Sequence, residues 1–279
     1  MTTSTVLDVQ EVTPAVGAVI GGVDLRTRLD DDTVRAIRDA VLEHGVVFFR
    51  EQDLSREQML VFMEHFGTPC TDPFSVDQSV SGLDTIIDMV TLGYSPATAV
   101  WHIDSSLAPE PASLIALRAL EVPPSGGDTC WASMYAAYDA LSEPLRDLLD
   151  GLTAEHAGSK TLALMGGDSY GFLQEDMRNV HPAVRVHPET GRKALFVDEL
   201  WTERIVELAP DESASLLTFL FEHVKKPNFT VRWQWRPNDL ALWDNRAFQH
   251  YAVNDYTTNR VMQKSLLAGD RPYGPTQTR

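Results

Sequence analysis

The sequence predicts a mainly β fold, a β-sandwich or jelly roll with helices packed outside it. Three observations support this. Strand-like runs crowd the C-terminal third, and the helical patterns are few and lie mostly early in the chain. No internal repeat or low-complexity linker interrupts residues 1–279, which reads as one domain, and with 43% hydrophobic residues the chain can bury a sizeable core.

Taken in order, Asp30 to Asp32 can cap a helix whose apolar positions Val34, Ile37, Val41 and Leu42 share one face, with Gly45 as its stop. Val46 to Phe49 then reads as a buried strand. Ser55 and Gln58 form a capping box for a second helix that ends at Gly67. Ile86 to Val90 is a strand, and a longer one runs from Ala112 to Val122. A helix pair follows, Ser133 to Leu141 and Pro144 to Leu149, with Ser142 as cap and Pro144 in the first turn of the second. Val184 to Val186 and Ala194 to Val197 flank Pro188-Glu189-Thr190-Gly191, a hairpin. One more helix occupies Asp211 to Val224. Phe229, Val231, Trp233 and Trp235 alternate along the next strand, and Pro237-Asn238-Asp239 turns the chain into Leu240 to Trp243. Strands at Phe248 to Val253 and Arg260 to Leu267 complete the set.

The formal net charge is −17, from 23 basic and 40 acidic residues, a surface that repels nucleic acid and anionic membranes. A small-molecule partner remains, and an acidic protein can still hold a locally basic pocket. Cys70 and Cys130 are too few and too far apart for a disulfide framework and read as buried or half-buried thiols in a reducing compartment. Met1 to Asp8 lacks a signal-peptide pattern, and no apolar run is long enough to span a bilayer, so the expected location is cytoplasmic.

The chemistry concentrates in two segments. In Trp101-His102-Ile103-Asp104 an extended backbone puts His102 and Asp104 on one face, where an imidazole nitrogen and a carboxylate oxygen could share an ion. Alone, His-x-Asp is a weak signal. His250 lies in an aromatic-rich strand and, alone, reads as an interior histidine. The strand beginning at Arg260 puts Arg260, Met262, Lys264 and Leu266 on one face. Two cations on a mainly apolar face require an anion. Two histidines and one carboxylate are the ligand set of non-haem iron(II) oxygenases, leaving open positions for a chelating 2-oxo acid and for oxygen. A fixed Arg fork suits the far carboxylate of that acid.

His-x-Asp, a long insert, His, then Arg ten residues later resembles the 2-oxoglutarate-dependent dioxygenases of the TauD/TfdA type. The resemblance covers nearly the whole chain. Gly45-Val46-Val47-Phe48-Phe49-Arg50 is similar to the family's early strand, and Val122 to Thr129 to the loop after the His-x-Asp strand. Trp243 to Tyr251, Asn254-Asp255-Tyr256 and Ala268-Gly269-Asp270-Arg271-Pro272 resemble its C-terminal signature. It implies a double-stranded β-helix (jelly-roll) core and iron(II) ligation by His102, Asp104 and His250. It also implies that Thr129 and Arg260 hold the distal carboxylate of 2-oxoglutarate, with oxygen as second co-substrate, and a homodimer or homotetramer.

The implied activity is hydroxylation of a small anionic organic substrate, with release of succinate and carbon dioxide. Asp104 argues against halogenation, since the carboxylate position is filled. Lys264 stands where taurine-oxidising members carry an Arg that grips sulfonate, and a Lys lacks the bidentate fork. Phe74, Phe172 and Trp201 are candidates for the apolar wall of the substrate pocket, and residues 158–170 for a lid. The ligand set is equally compatible with desaturation, epoxidation or isonitrile formation. A non-catalytic jelly-roll binding protein is the reading from another class. The other histidines, His44, His65, His156, His181, His187 and His223, are expected at surface or capping positions.

Overall fold

The computed structural model describes residues 7–71, 85–92, 99–159, 163 and 177–277. The larger sheet has eight strands in the order Asp8–Glu11, Ala18–Gly21, Val46–Phe49, Leu240–Asp244, Leu114–Glu121, Asn259–Leu267 and Pro69–Cys70, with Ile86–Leu92 also paired to Asn259–Leu267. Its pairs are antiparallel except Ala18–Gly21 with Val46–Phe49. A smaller antiparallel sheet is ordered Thr230–Trp233, Thr129–Ser133, Phe248–Ala252. A further sheet joins Thr202–Ile205, Thr153–Ala157 and Arg178–Pro182, and Val184–Val186 pairs with Lys193–Leu195.

Strict alternation divides the larger sheet into two buried faces. Val47, Phe49, Leu114, Ala116, Leu240 and Leu242 pack outward, against Ile37 and Val41 of the helix Asp31–His44 and Met59, Phe62 and Met63 of the helix Arg56–Glu64. Val46, Phe48, Ile115, Leu117, Ala241, Trp243, Met262 and Leu266 point inward, where they meet Trp131, Val231, Trp233 and Phe248 of the smaller sheet. Phe48 stacks on Trp233 with ring centroids 3.9 Å apart, and Trp131 meets Phe48 edge-on at 5.4 Å. Each large apolar side chain buried this way contributes about 1.5–3 kcal/mol. Since both faces are buried, these strands read as continuous apolar runs.

The helices follow their caps. Asp30 accepts from Thr33 N–H, and the Gly45 N–H closes the first helix on the Val41 carbonyl. Gly45 adopts φ +78, and a Cβ there would collide with the Phe248 ring. Glycine therefore lets this helix end dock onto the strand that carries His250. The second helix has its capping box but ends at Glu64, short of the expected Gly67, because His65 and Phe66 bond back to Phe62 and Met63 in a tighter turn.

The strands Asp8–Glu11, Ala18–Gly21, Thr129–Ser133, Thr153–Ala157, Arg178–Pro182 and Thr202–Ile205 were not expected. The expectation for the other histidines is overturned for His156, His181, His187 and His223, all buried. Cys70 and Cys130 are half-buried thiols, as expected, and form no disulfide among the described residues. Among the described residues no helix is long and apolar enough to cross a membrane.

One buried ionic cluster anchors the turn before His250. Asp244 accepts from His187 Nε2 at 2.9 Å and from Arg246 Nε and Nη2 at 2.9 and 2.6 Å, and Arg246 also pairs with Glu189. Burial alone would raise the Asp244 carboxyl, but Arg246 and His187 hold it far below the usual carboxylate range. A depressed folded-state pKa stabilises the protein above the unfolded-state value and is lost as pH falls. Asp244→Asn is expected to cost about 3 kcal/mol at neutral pH, with the gap to wild type narrowing below about pH 4. Urea unfolding across pH checks this; an equal gap at pH 3 and pH 7 would contradict it.

Candidate metal centre

The site begins with a single backbone pairing. His102 N–H donates to the His250 carbonyl at 3.0 Å, and His250 N–H donates back to His102 at 2.9 Å. This reciprocal pair fixes the segment around His102 beside the strand Phe248–Ala252. Asn245 adds a second tie. Its Oδ1 accepts from Asp104 N–H at 3.0 Å, and its Nδ2 donates to the Asp104 carbonyl at 3.0 Å and the Ala112 carbonyl at 2.9 Å.

The three side chains then converge, with one ligand atom from each lying within 4.8 Å of the others. His102 Nε2 is 3.5 Å from Asp104 Oδ1, and His250 Nε2 is 3.9 Å from Asp104 Oδ2. All three residues are buried. The His102 Nδ1–H donates to the Val100 carbonyl at 2.7 Å, which leaves the Nε2 lone pair toward the carboxylate. Burial alone would raise Asp104, but Lys264, His250 and His102 hold it well below the usual carboxylate range. Burial, with the neighbouring His102, pushes His250 well below its ordinary value. Asp104 is thus held as a carboxylate and His250 as a neutral imidazole, the forms in which these groups bind a divalent metal. Two nitrogens and one oxygen from three residues fit a first-row metal that keeps open positions.

The turn after Asp104 is held by a buried polar cluster. Ser106 Oγ donates to Asp198 Oδ2 at 2.7 Å and lies 3.0 Å from His156 Nδ1. With no exposure to solvent, this Ser-His-Asp grouping supports the turn and cannot serve as a nucleophile.

Thr129 and Arg260 lie side by side. Arg260 is 5% exposed and donates from Nε to the Gly127 carbonyl at 3.0 Å and from Nη2 to Thr129 Oγ1 at 3.1 Å. Among the described residues no carboxylate lies within ion-pair distance of it, and burial lowers its pKa. Thr129 Oγ1 also accepts from Trp235 Nε1 at 2.9 Å, so its own hydroxyl proton is left to donate elsewhere. Contrary to its look as a surface-loop residue, Thr129 opens a strand and is 1% exposed. A buried guanidinium beside a donor hydroxyl suits an anion.

Lys264 shares the inward face, but its ammonium sits 2.8 Å from Asp104 Oδ2, directly at the triad. Trp201 packs with Leu107, Leu200, Val100 and Met177 in a small apolar cluster beside the Ser106 turn. Phe74, Phe172 and most of residues 158–170 lie outside the described residues. Asn245 and the Ser106–His156–Asp198 cluster escaped sequence reasoning. Asn245 lay within the quoted C-terminal motif, but only the folded pairing shows what it touches.

The taurine catabolism dioxygenase TauD, TfdA family matches residues 8–266. The chain is 36% identical to an alkylsulfatase of Acinetobacter baylyi, covering 95% of this chain and 86% of that protein. It is 38% identical to an alpha-ketoglutarate-dependent sulfate ester dioxygenase of Pseudomonas putida, covering 96% and 91% respectively. A crystal structure of a taurine dioxygenase from Burkholderia xenovorans superposes with a TM-score of 0.85 at 38% identity, covering 96% of this chain and 91% of that one.

Removing the Asn245 staple should loosen Asp104 against His250. Asn245→Ala is expected to weaken Mn(II) binding by about 10- to 100-fold, and Asn245→Asp, which keeps an acceptor and loses the donors, by less. Calorimetric metal titration, with circular dichroism as the folding control, checks this. Unchanged affinity in both folded variants would show that the staple does not set the site.

Proposed function

The chain belongs to the taurine catabolism dioxygenase TauD, TfdA family, and from that premise we propose that it oxidises a small anionic organic molecule, with sulfate esters the foremost class. It is a 2-oxoglutarate-dependent dioxygenase, a family that typically uses iron(II). The observation that carries the proposal is the pairing of a buried two-His, one-carboxylate cluster with the buried Arg260, which has no carboxylate within ion-pair distance among the described residues. The first suits the metal and the second suits the far end of its co-substrate. The two facing sheets are read as a double-stranded β-helix, or jelly roll, with 1–279 as one domain.

In this reading His102 and His250 offer Nε2 and Asp104 its carboxylate to iron(II). Arg260 and the Thr129 hydroxyl take the distal carboxylate of 2-oxoglutarate and so orient its 2-oxo acid end. When bound, the metal supplies the oxygen chemistry that converts 2-oxoglutarate to succinate and carbon dioxide while oxidising the substrate. The apolar wall of Trp131 and Trp243 behind His250 excludes water from that side.

Lys264 is the residue read as facing the substrate. Its ammonium stands 2.8 Å from Asp104 Oδ2, at the triad, where its positive charge would favour an anionic head group beside the metal ligands. Two relatives by name act on sulfate esters or alkyl sulfates, which suits a point-charge cation. Hydroxylation of the carbon bearing the ester oxygen replaces C–H by C–OH. The adduct then collapses, the C–O bond to sulfate breaking with its electron pair on sulfate while the hydroxyl proton is lost. The product is an aldehyde.

Assay of the iron(II)-loaded enzyme against alkyl sulfates, taurine and aryloxyalkanoates tests this. Aldehyde, sulfate and succinate are expected in equal amounts from an alkyl sulfate, and Lys264→Ala should raise the KM for it by about 10- to 100-fold. Turnover of neutral substrates alone, indifferent to Lys264→Ala, would overturn the proposal.

A further inference from the structure

Asp255 approaches the proposed co-substrate pocket from behind. Its Oδ1 accepts from Gly127 N–H at 2.8 Å, while the Gly127 carbonyl accepts from Arg260 Nε at 3.0 Å. Gly127 is therefore gripped on both sides, by Asp255 at its N–H and by Arg260 at its C=O. The approach depends on glycine. Gly126 and Gly127 have φ of +76 and +71, and a Cβ at Gly126 would collide with Asp255 Oδ1 and lie 2.8 Å from the Asp255 carbonyl oxygen. The other oxygen, Asp255 Oδ2, takes Arg232 Nη2 at 3.2 Å, and Arg232 Nε reaches Asp128 Oδ2 at 2.6 Å. The Asp128 carbonyl in turn receives Val253 N–H at 2.9 Å. Residues 126–129 and 253–260 are thus laced together, with Arg260 and Thr129 at the closed end.

The energetics separate the two halves of this lacing. Arg232 and Asp255 side chains are 54% and 46% exposed, so their ion pair contributes little to stability. The Gly127 bond acts by geometry, because it fixes the peptide against which the Arg260 guanidinium is braced.

We infer that Asp255 is a positioning residue for the co-substrate: by holding the Gly127 peptide, it sets Arg260 and Thr129 where the far carboxylate of 2-oxoglutarate must sit. The inference rests on the reading of Arg260 and Thr129 as that carboxylate pocket. Among the described residues the Asp255 carboxylate bonds to Gly127 and Arg232 and to none of the three proposed metal ligands, so its effect should fall on 2-oxo diacids and spare 2-oxo acids that end after the chelating group.

Calorimetric titration of the Mn(II)-loaded protein with 2-oxoglutarate, and separately with pyruvate, tests it. Asp255→Ala is expected to raise the Kd for 2-oxoglutarate by about tenfold, leaving the weaker pyruvate affinity within about twofold. Asp255→Asn, which can still accept from Gly127 N–H, should stay within about threefold of wild type for both. An unchanged 2-oxoglutarate Kd in Asp255→Ala, alongside weakened binding in Arg260→Lys, overturns the inference and leaves the pocket reading intact. Equal weakening of pyruvate and 2-oxoglutarate also overturns it, since that marks a general disturbance. Wild-type 2-oxoglutarate affinity in Arg260→Lys overturns the pocket reading and the inference with it.

Discussion

Two backbone hydrogen bonds between His102 and His250 carry the architecture of this site. These residues belong to distant stretches of chain, and neither segment holds the other by sequence proximity. The reciprocal bridge puts both imidazoles on one side, and Asn245 then ties the Asp104 backbone to the turn leading into the His250 strand. Everything else serves that pairing. The Asp244 cluster fixes the turn, Gly45 admits Phe248 against the first helix end, and the Ser106 cluster holds the chain beyond Asp104.

The same small sheet relates the metal centre to the proposed carboxylate pocket. His250 lies opposite Trp131, and Thr129 lies two residues along the Trp131 strand, on the same face. Two residues of strand span about 7 Å, the scale of a five-carbon diacid reaching from a chelating end to a distal carboxylate. Arg260 reaches this point from the larger sheet, so the two sheets supply the two sides of one site. An acidic protein therefore keeps Arg260 and Lys264 inside it, where burial makes each cation depend on an anion.

Much of this was legible in the sequence, because the signals were local or strictly periodic. The capped helices, the inner face of Arg260, Met262, Lys264 and Leu266, and the His-x-Asp pair all follow from spacing of one to four residues. Thr129–Ser133 was not legible. It is buried almost throughout at the centre of its sheet, so nothing alternates, and Thr129 looked like a loop residue. His156, His181, His187 and His223 gave no hint of burial, since their partners Ser106, Ala108, Asp244 and Ala137 are distant in sequence. Asn245 and Asp255 sat in recognised motifs, but their roles are hydrogen bonds to backbone that only the fold brings near.

If the buried cluster holds iron(II), Arg260 seats 2-oxoglutarate beside it. Anaerobic addition of iron(II) and then 2-oxoglutarate, followed by visible absorption, tests it most directly. A weak charge-transfer band that appears only with both components, and is lost in His250→Ala, is the expected result. Metal binding without any such band on addition of 2-oxoglutarate would contradict the account.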